Sequence, residues 1–320
     1  MPNLANNKNF HRHVGRLPTA DVPDCTGALR AMGALVGSDV PVQVCMDRAE
    51  AVASVLYGHM LESEGKNHIL TTNIEDAVTI LTLQRLEKLG GFGKKVAVND
   101  KGFISASDVE RYITPRTGLV SLSWGCALTG VIHPIASIAK VCKKHGVPLH
   151  VDATHVCGKM QISMEDIDYL NVGGVLYGNV EPLVQGRMDD PDKILEAGKK
   201  AKEALDNLDH VAIEGARLCG LFERAVQNKV PEAEVLYQDS ERIPGISCIN
   251  FPGISPELMA FYLHHRGVDV AFGGGSFQYI SHVLKGIGAK SALSFCFDDA
   301  PLEIIDTIAN VYSDLQGGIL

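Results

Sequence analysis

Residues 131–162 read VIHPIASIAKVCKKHGVPLHVDATHVCGKMQI, and this stretch decides the fold. Its first half spaces apolar residues as an α-helix does, and the basic run 143–145 suits the carboxyl end of the helix dipole. The segment 147–154 then reads as a buried strand, with Asp152 where that strand ends. A helix followed at once by a buried strand is typical of a parallel sheet.

The same alternation continues toward the amino terminus. Because strands and helices follow one another in turn, we expect a mostly parallel sheet covered by helices on both faces. The predicted helices are 47–63, 75–91, 105–113 and 133–146, and the predicted strands are 68–72, 94–98, 118–124 and 147–154.

The pattern changes after residue 190, which predicts a second, smaller α/β domain at the carboxyl terminus. Two successive helices over 190–228 are followed by short strands at 247–253 and 268–275, with helices 256–267 and 302–315. We expect an N-terminal segment 1–30 that packs on the small domain or on a partner subunit, a large domain 31–210 and a small domain 211–320.

The charge and hydropathy of the chain argue against two classes of partner, nucleic acids and membranes. The 320 residues carry a formal net charge of −9, which repels phosphate backbones, so we do not expect nucleic acid as a partner. No apolar run approaches the roughly 20 residues that span a bilayer, and no signal peptide is evident at the amino terminus. We therefore expect a cytoplasmic protein without a membrane partner.

Eight cysteines are spread along the chain without the two- or four-residue spacing of a zinc or cluster motif. Several lie in apolar strings such as SCINF and LSFCF, where cysteine is typical of a small buried hydrophobe. Adjacent histidines such as His264 and His265 point to different faces of a helix and make a poor metal pair. We expect a reducing compartment and no metal site.

Asp152 is the most informative polar residue of the opening stretch. It lies at the carboxyl end of a predicted central strand, the edge where open α/β sheets bind ligands. A carboxylate in this place can hold a protonated ring nitrogen, as in pyridoxal phosphate enzymes. The alternative is that Asp152 or Thr154 only caps a turn.

The stretch 131–162, together with 242–271 and 291–312, resembles the cysteine desulfurases of the class V aminotransferase group. Weaker similarity runs through 42–57 and 67–78. These relatives are fold-type I pyridoxal phosphate enzymes that take sulfur from cysteine for iron–sulfur clusters and other cofactors. The resemblance implies a fold-type I, pyridoxal phosphate-dependent transferase-like large domain and a smaller C-terminal α/β domain.

The resemblance carries three residues over to a cofactor site. Asp152 matches the aspartate that pairs with the pyridine nitrogen, and His155 stands where the family has glutamine or, in some relatives, histidine. The family's phosphate-binding turn matches residues 46–50, where Asp47 would repel a phosphate and Arg48 would partly compensate. Asp152, His155 and Arg48 are therefore the expected site, either vestigial or able to hold pyridoxal phosphate non-covalently.

The family's catalytic residues are missing from this sequence, and we assign no catalytic residue. The Schiff-base lysine segment is absent because Asp168 to Asn171 runs directly into 172–177, and no lysine lies between Lys159 and Lys193. The loop 271–278, which matches the loop that carries the persulfide cysteine, contains none. Other matching positions also differ: Asp76 replaces the stacking histidine, Cys126 and Ala127 the asparagine, and Leu293 the substrate-binding arginine.

These departures favour a catalytically inactive protein of this family. We expect a binding, scaffold or regulatory partner in sulfur transfer or iron–sulfur cluster assembly, as a homodimer or paired with an active cysteine desulfurase paralogue, with an iron–sulfur scaffold protein as a further partner. One alternative is an active enzyme that binds pyridoxal phosphate non-covalently or takes a lysine from a partner subunit. Another is a pocket that binds a different small ligand.

Overall fold

A computed structural model describes residues 24–63, 65–180, 190–272, 282–289, 291–297 and 302–318. The helices in this part of the chain are α1 (Thr26–Val36), α2 (Arg48–Glu62), α3 (Ala77–Glu87), α4 (Ala106–Tyr112), α5 (Ile135–His145), α6 (Pro191–Asp206), α7 (Leu208–Lys229), α8 (Pro256–His264), α9 (His282–Ile287) and α10 (Ile305–Gln316). The strands are β1 (Val42–Val44), β2 (His68–Thr72), β3 (Phe92–Val96), β4 (Thr117–Ser123), β5 (Leu149–Asp152), β6 (Tyr169–Val172), β7 (Val175–Tyr177), β8 (Glu234–Val235), β9 (Ile246–Asn250) and β10 (Ala292–Cys296).

A seven-stranded sheet with the order β1-β7-β6-β5-β4-β2-β3 forms the centre of the molecule. Its five strands β6, β5, β4, β2 and β3 are parallel neighbours, while β7 and β1 extend one edge in antiparallel pairing. The predicted α/β fold with a mostly parallel sheet is confirmed.

Alternate residues of the central strands face two different helical layers. Ile69 and Leu119 pack into a cluster with α2 and α3, whereas their neighbours Leu70 and Val120 pack into a larger cluster with α1, α4, α5 and α6. Because successive side chains of a strand point to opposite faces, this division puts helices on both sides of the sheet. Strands buried on both faces explain the continuous apolar runs in the sequence.

Two predicted strands differ from the observed ones. The strand predicted at 94–98 occupies Phe92–Val96, since its parallel register with β2 starts at the pair His68 and Phe92. Of the strand predicted at 268–275, the described residues 268–272 form one bridge, in which Ala271 and Ser294 of β10 exchange backbone hydrogen bonds. Residues 273–275 lie outside the described part.

The carboxyl-terminal region builds a second sheet with the antiparallel order β10-β9-β8. A separate apolar cluster covers it, contributed by α7, α8 and α10 and containing Phe222, Phe251 and Phe295. Of the N-terminal segment 1–30, residues 24–30 are described; they lead into α1, which packs along α6, where a Cβ on Gly198 would approach Ala28 to 2.4 Å. The three-part domain division stays a prediction.

Within the described residues, no helix combines the length and the apolar character that crossing a membrane requires.

Candidate functional site

Polar side chains converge at the carboxyl ends of three neighbouring parallel strands. Glu75 and Asp76 follow β2, Ser123 ends β4, and Asp152 ends β5 directly opposite Ser123 in register. All four side chains are buried. This is the edge at which open α/β sheets bind their ligands, so it is the candidate functional site.

Arg48, the first residue of α2, joins two of these carboxylates. Its Nε atom donates a hydrogen bond of 2.7 Å to Oδ2 of Asp152, and its Nη1 atom forms an ion pair with Asp76. Burial by itself would lower the pKa of Arg48, but the charges of Asp152 and Asp76 outweigh it and raise that pKa above its ordinary value. The guanidinium is therefore a fixed cation between two buried anions.

The second oxygen of Asp152 is also engaged. The hydroxyl of Thr154 donates to Oδ1 of Asp152 at 2.6 Å, and the backbone N–H of Thr154 donates to the same oxygen at 3.0 Å. Both carboxylate oxygens therefore bind groups of the chain itself. A ring nitrogen that paired with Asp152 would have to displace Arg48 or Thr154.

His155 completes the charged group through Asp76. Its Nε2 atom donates to Oδ2 of Asp76 at 2.9 Å. Burial of Asp76 opposes ionisation, but the hydrogen bond from His155 and the charge of Arg48 prevail and lower the pKa of Asp76 to about 2. The structure thus brings the three predicted residues Asp152, His155 and Arg48 together and adds Asp76 as the residue that joins them.

The amino terminus of α2 is satisfied by carboxylates of the chain. The side chain of Asp47 accepts the N–H of Glu50 at 2.9 Å, and the carboxylate of Glu50 accepts the N–H of Met46. These N–H groups belong to the turn that matches the family's phosphate site. A phosphate here would meet two carboxylates and N–H groups that already have acceptors, so the donor set does not fit one.

A short hairpin connects β6 and β7 at the place where the resemblance leads us to expect loss of the family's lysine-bearing segment. Residues Gly173 and Gly174 alone connect the two strands. Gly173 adopts φ +55°, and a Cβ on Gly174 would lie 3.2 Å from the backbone oxygen of Cys45. The turn is therefore tight, and glycine suits its backbone angle and its close approach to β1.

Glu75 is a buried acid that the sequence interpretation missed. It accepts hydrogen bonds from the hydroxyl of Ser123 at 2.6 Å and from the hydroxyl of Thr72 at 2.8 Å. Burial raises the pKa of Glu75 to about 7, although these hydrogen bonds oppose the shift. The signal in the sequence was an acidic pair, Glu75-Asp76, immediately after a buried strand.

A line of buried polar side chains crosses the sheet beneath Asp152. His150 lies between Ser121 and Asn171, with hydrogen bonds of 2.9 Å to each. Asn171 reaches the hydroxyl of Thr154 at 3.4 Å, which links the line to Asp152. Burial lowers the pKa of His150, so this imidazole is neutral and passes hydrogen bonds from strand to strand.

The prediction that cysteines in apolar strings are buried is right for Cys248 and wrong for Cys296. Cys296, the last residue of β10, is exposed, whereas its neighbours Phe295 and Phe297 pack into the apolar cluster. The Nζ atom of Lys159 lies 3.2 Å from its sulfur. The chain therefore has a solvent-facing thiol beside an ammonium group.

Four further residues that the sequence analysis or its context brought forward lie outside the charged group at Asp152. Cys126 and Leu293 are buried in apolar clusters, and Trp124 packs partly buried against the larger core. His264 lies on the surface and pairs with Asp269. The part of the glycine loop from 273 to 278 lies outside the described residues.

Comparison with known proteins shows what this chain is similar to. The model of the family described as aminotransferase class-V matches residues 45–174. Cysteine desulfurase IscS of Clostridium botulinum (strain Kyoto / Type A2) is 29% identical in an alignment of 252 residues that covers 69% of this chain and 64% of the relative. The chain thus spans less than two thirds of that relative's length. A cysteine desulfurase of Nostoc sp. (strain PCC 7120) is 26% identical over 313 residues, 88% of this chain and 77% of the relative.

Solved structures agree on the fold. A NifS-like protein superposes with a TM-score of 0.80 at 20% identity, covering 92% of this chain and 87% of that one. The apo structure of the cysteine desulfurase from Thermococcus onnurineus NA1 gives a TM-score of 0.72 at 20% identity, with 91% and 83% covered. The fold is therefore that of the NifS-like, fold-type I proteins. In sequence, the chain is similar to the cysteine desulfurases.

Proposed function

We propose that this chain is a non-catalytic member of the cysteine desulfurase family that acts by binding in sulfur transfer or iron–sulfur cluster assembly. The observation that carries the proposal is the 2.7 Å contact between Nε of Arg48 and Oδ2 of Asp152. In the family the matching aspartate pairs with the cofactor's ring nitrogen, whereas here a residue of the chain holds that carboxylate.

Two further observations support loss of the cofactor. The carboxylates of Asp47 and Glu50 cap the N–H groups that would face its phosphate. The two-residue turn Gly173-Gly174 stands in place of the segment with the Schiff-base lysine, so the aldehyde would meet no amine from this part of the chain. Each of these three features alone would weaken the binding of pyridoxal phosphate. Together they would remove the contacts to its ring, the contacts to its phosphate and the covalent bond to its aldehyde.

The proposed partners follow from the relatives. Cysteine desulfurases of this family pair as dimers, so we propose a homodimer or a heterodimer with an active paralogue, with an iron–sulfur scaffold protein as a further partner. Such a partner would bind the retained fold rather than the altered site. We propose the cytoplasm as the location.

The experiment combines this chain with a purified active cysteine desulfurase from the same cell. We expect the chain alone to release no sulfide from cysteine in the presence of pyridoxal phosphate, and the mixture to form a complex by light scattering. Complex formation with a changed rate of sulfide release by the active enzyme supports a regulatory partner.

Sulfide release by the chain alone, abolished by Asp152→Asn, would overturn the proposal and favour the enzyme alternative. If the chain formed a complex with neither the desulfurase nor the scaffold protein, that result would contradict the binding role. An Arg217→Ala variant serves as the control, because Arg217 pairs with Glu214 on the surface of α7, outside the candidate site.

A further inference from the structure

A cavity of about 560 Å³ lies between α1, α6 and the hairpin β6–β7, beside the charged group at Asp152. Its volume falls within the roughly 300–1,000 Å³ of small-molecule sites. Thr154, which bonds Asp152, also lines the cavity, as do Gly173 and Gly174 of the shortened turn. The cavity therefore adjoins the position of the missing lysine segment without being the charged site itself.

The walls of this cavity are apolar. Met32 and Leu35 come from α1, Val44 from β1, and Ala201 from α6. All four are buried, and Met32 is fully so. Removing such surface from water favours an apolar ligand body.

Among the residues that the structure describes, the charged ones that line the cavity lie along one face of α6. Lys193, Glu196 and Lys200 follow one another at helical spacing, with Glu196 and Lys200 exposed and paired at 2.6 Å. Two cations and one anion leave the rim with one net positive charge. An anionic group on a ligand would be attracted there.

The floor holds a polar atom that the fold leaves unsatisfied. Tyr177 is a fully buried residue of β7 that lines the cavity, and its hydroxyl has no hydrogen-bond partner in the described part of the chain. Buried hydroxyl groups in native proteins are normally paired, so an unpaired one beside a cavity indicates a missing acceptor. The one thiol among the half-buried lining residues, Cys157, cannot act as a nucleophile, because burial raises its pKa to about 11.

We propose that this cavity binds a small organic acid with an apolar body, its carboxylate at Lys193 and Lys200 and a hydrogen-bond acceptor near its far end at the hydroxyl of Tyr177. The proposal is independent of the lost cofactor, since it requires neither Arg48 nor Asp152. It describes binding without covalent chemistry.

The experiment measures the affinity of the purified chain for four probes by titration calorimetry: decanoate, 10-hydroxydecanoate, decanol and decylamine. We expect decanoate to bind at least about tenfold more tightly than decanol, because the charged head group meets the lysines. We expect 10-hydroxydecanoate to bind several-fold more tightly than decanoate, because its hydroxyl can accept from Tyr177.

Three variants test the assignment. The double variant Lys193→Ala, Lys200→Ala should weaken the binding of decanoate about tenfold. Lys199→Ala should not weaken it, because Lys199 lies on the same helix outside the cavity and pairs with Glu203. Tyr177→Phe should remove the preference for the hydroxylated acid without loss of folding, because it deletes only an unpaired hydroxyl. Equal affinity for decanoate and decanol, tighter binding of decylamine, or no saturable binding of any acid would overturn the proposal.

Discussion

Nε of Arg48 lies 2.7 Å from Oδ2 of Asp152, and the same guanidinium forms an ion pair with Asp76. The contact joins the first residue of α2 to the last residue of β5, 104 positions apart in the chain. Asp152 and Asp76 are 2% and 6% exposed, and burying a carboxylate is costly unless an opposite charge pairs with it. Arg48 therefore stabilises both carboxylates. It also occupies the position beside Asp152 that the protonated ring nitrogen of a cofactor would take.

Replacing Arg48 tests its structural role. Arg48→Met should lower the free energy of unfolding by about 3–5 kcal/mol at neutral pH, because two buried carboxylates lose their counter-ion. Urea unfolding followed by circular dichroism measures the change. Arg217→Ala, which breaks an exposed pair, should leave the unfolding curve nearly unchanged. A loss below about 1 kcal/mol for Arg48→Met would mean that the ion pairs do not hold the site together.

Glu75 should make stability fall as pH rises toward neutral. Its folded pKa of about 7 lies above the ordinary 4.5, so the folded state holds more protons than the unfolded state between these values. Stability from this group is present below pH 4.5 and is lost as pH rises through 7. Integrated over that interval, the loss is on the order of 3 kcal/mol.

Comparison with Glu75→Gln isolates the effect. Buried histidines change stability in the opposite direction in the same range, since burial lowers the pKa of His133 to about 4. Both proteins contain the same histidines, so the difference between their free energies of unfolding cancels the contribution of those histidines. We expect Glu75→Gln to gain stability relative to the parent chain as pH rises from 5 to 8. A pH-independent difference would show that Glu75 titrates normally.

Cys296 should be the thiol that reacts first with iodoacetamide. It is exposed and lies 3.2 Å from the Lys159 ammonium, whereas burial raises the pKa of Cys126, Cys142 and Cys219. Peptide mass analysis after brief alkylation locates the label. Faster labelling at a buried cysteine would contradict the structure around β10.

Much of the fold followed from pattern alone. The alternation of helix and buried strand predicted the parallel sheet, because strands covered on both faces read as apolar runs such as HILTT at 68–72. Within the described part of the strand expected at 268–275, pairing with β10 takes the form of one bridge at Ala271, since this pairing depends on contacts distant in sequence.

The site was only partly predictable. Asp152, His155 and Arg48 were identified one by one, but their joining through Asp76 depends on how α2 and β2 meet at the sheet edge. No spacing rule relates Arg48 to Asp152. The exposure of Cys296 and the unpaired hydroxyl of Tyr177 are likewise consequences of packing that a local sequence window does not contain.

Retention of pyridoxal phosphate is the most direct test of whether Arg48 has replaced the cofactor as the partner of Asp152. The chain and its Asp152→Asn variant are incubated with excess pyridoxal phosphate and dialysed, and their visible absorbance is compared after circular dichroism confirms that both are folded. We expect that neither protein keeps pyridoxal phosphate after dialysis, because Arg48 holds the Asp152 carboxylate that would bind the cofactor's ring. A visible band retained by the parent chain and absent from Asp152→Asn would contradict it.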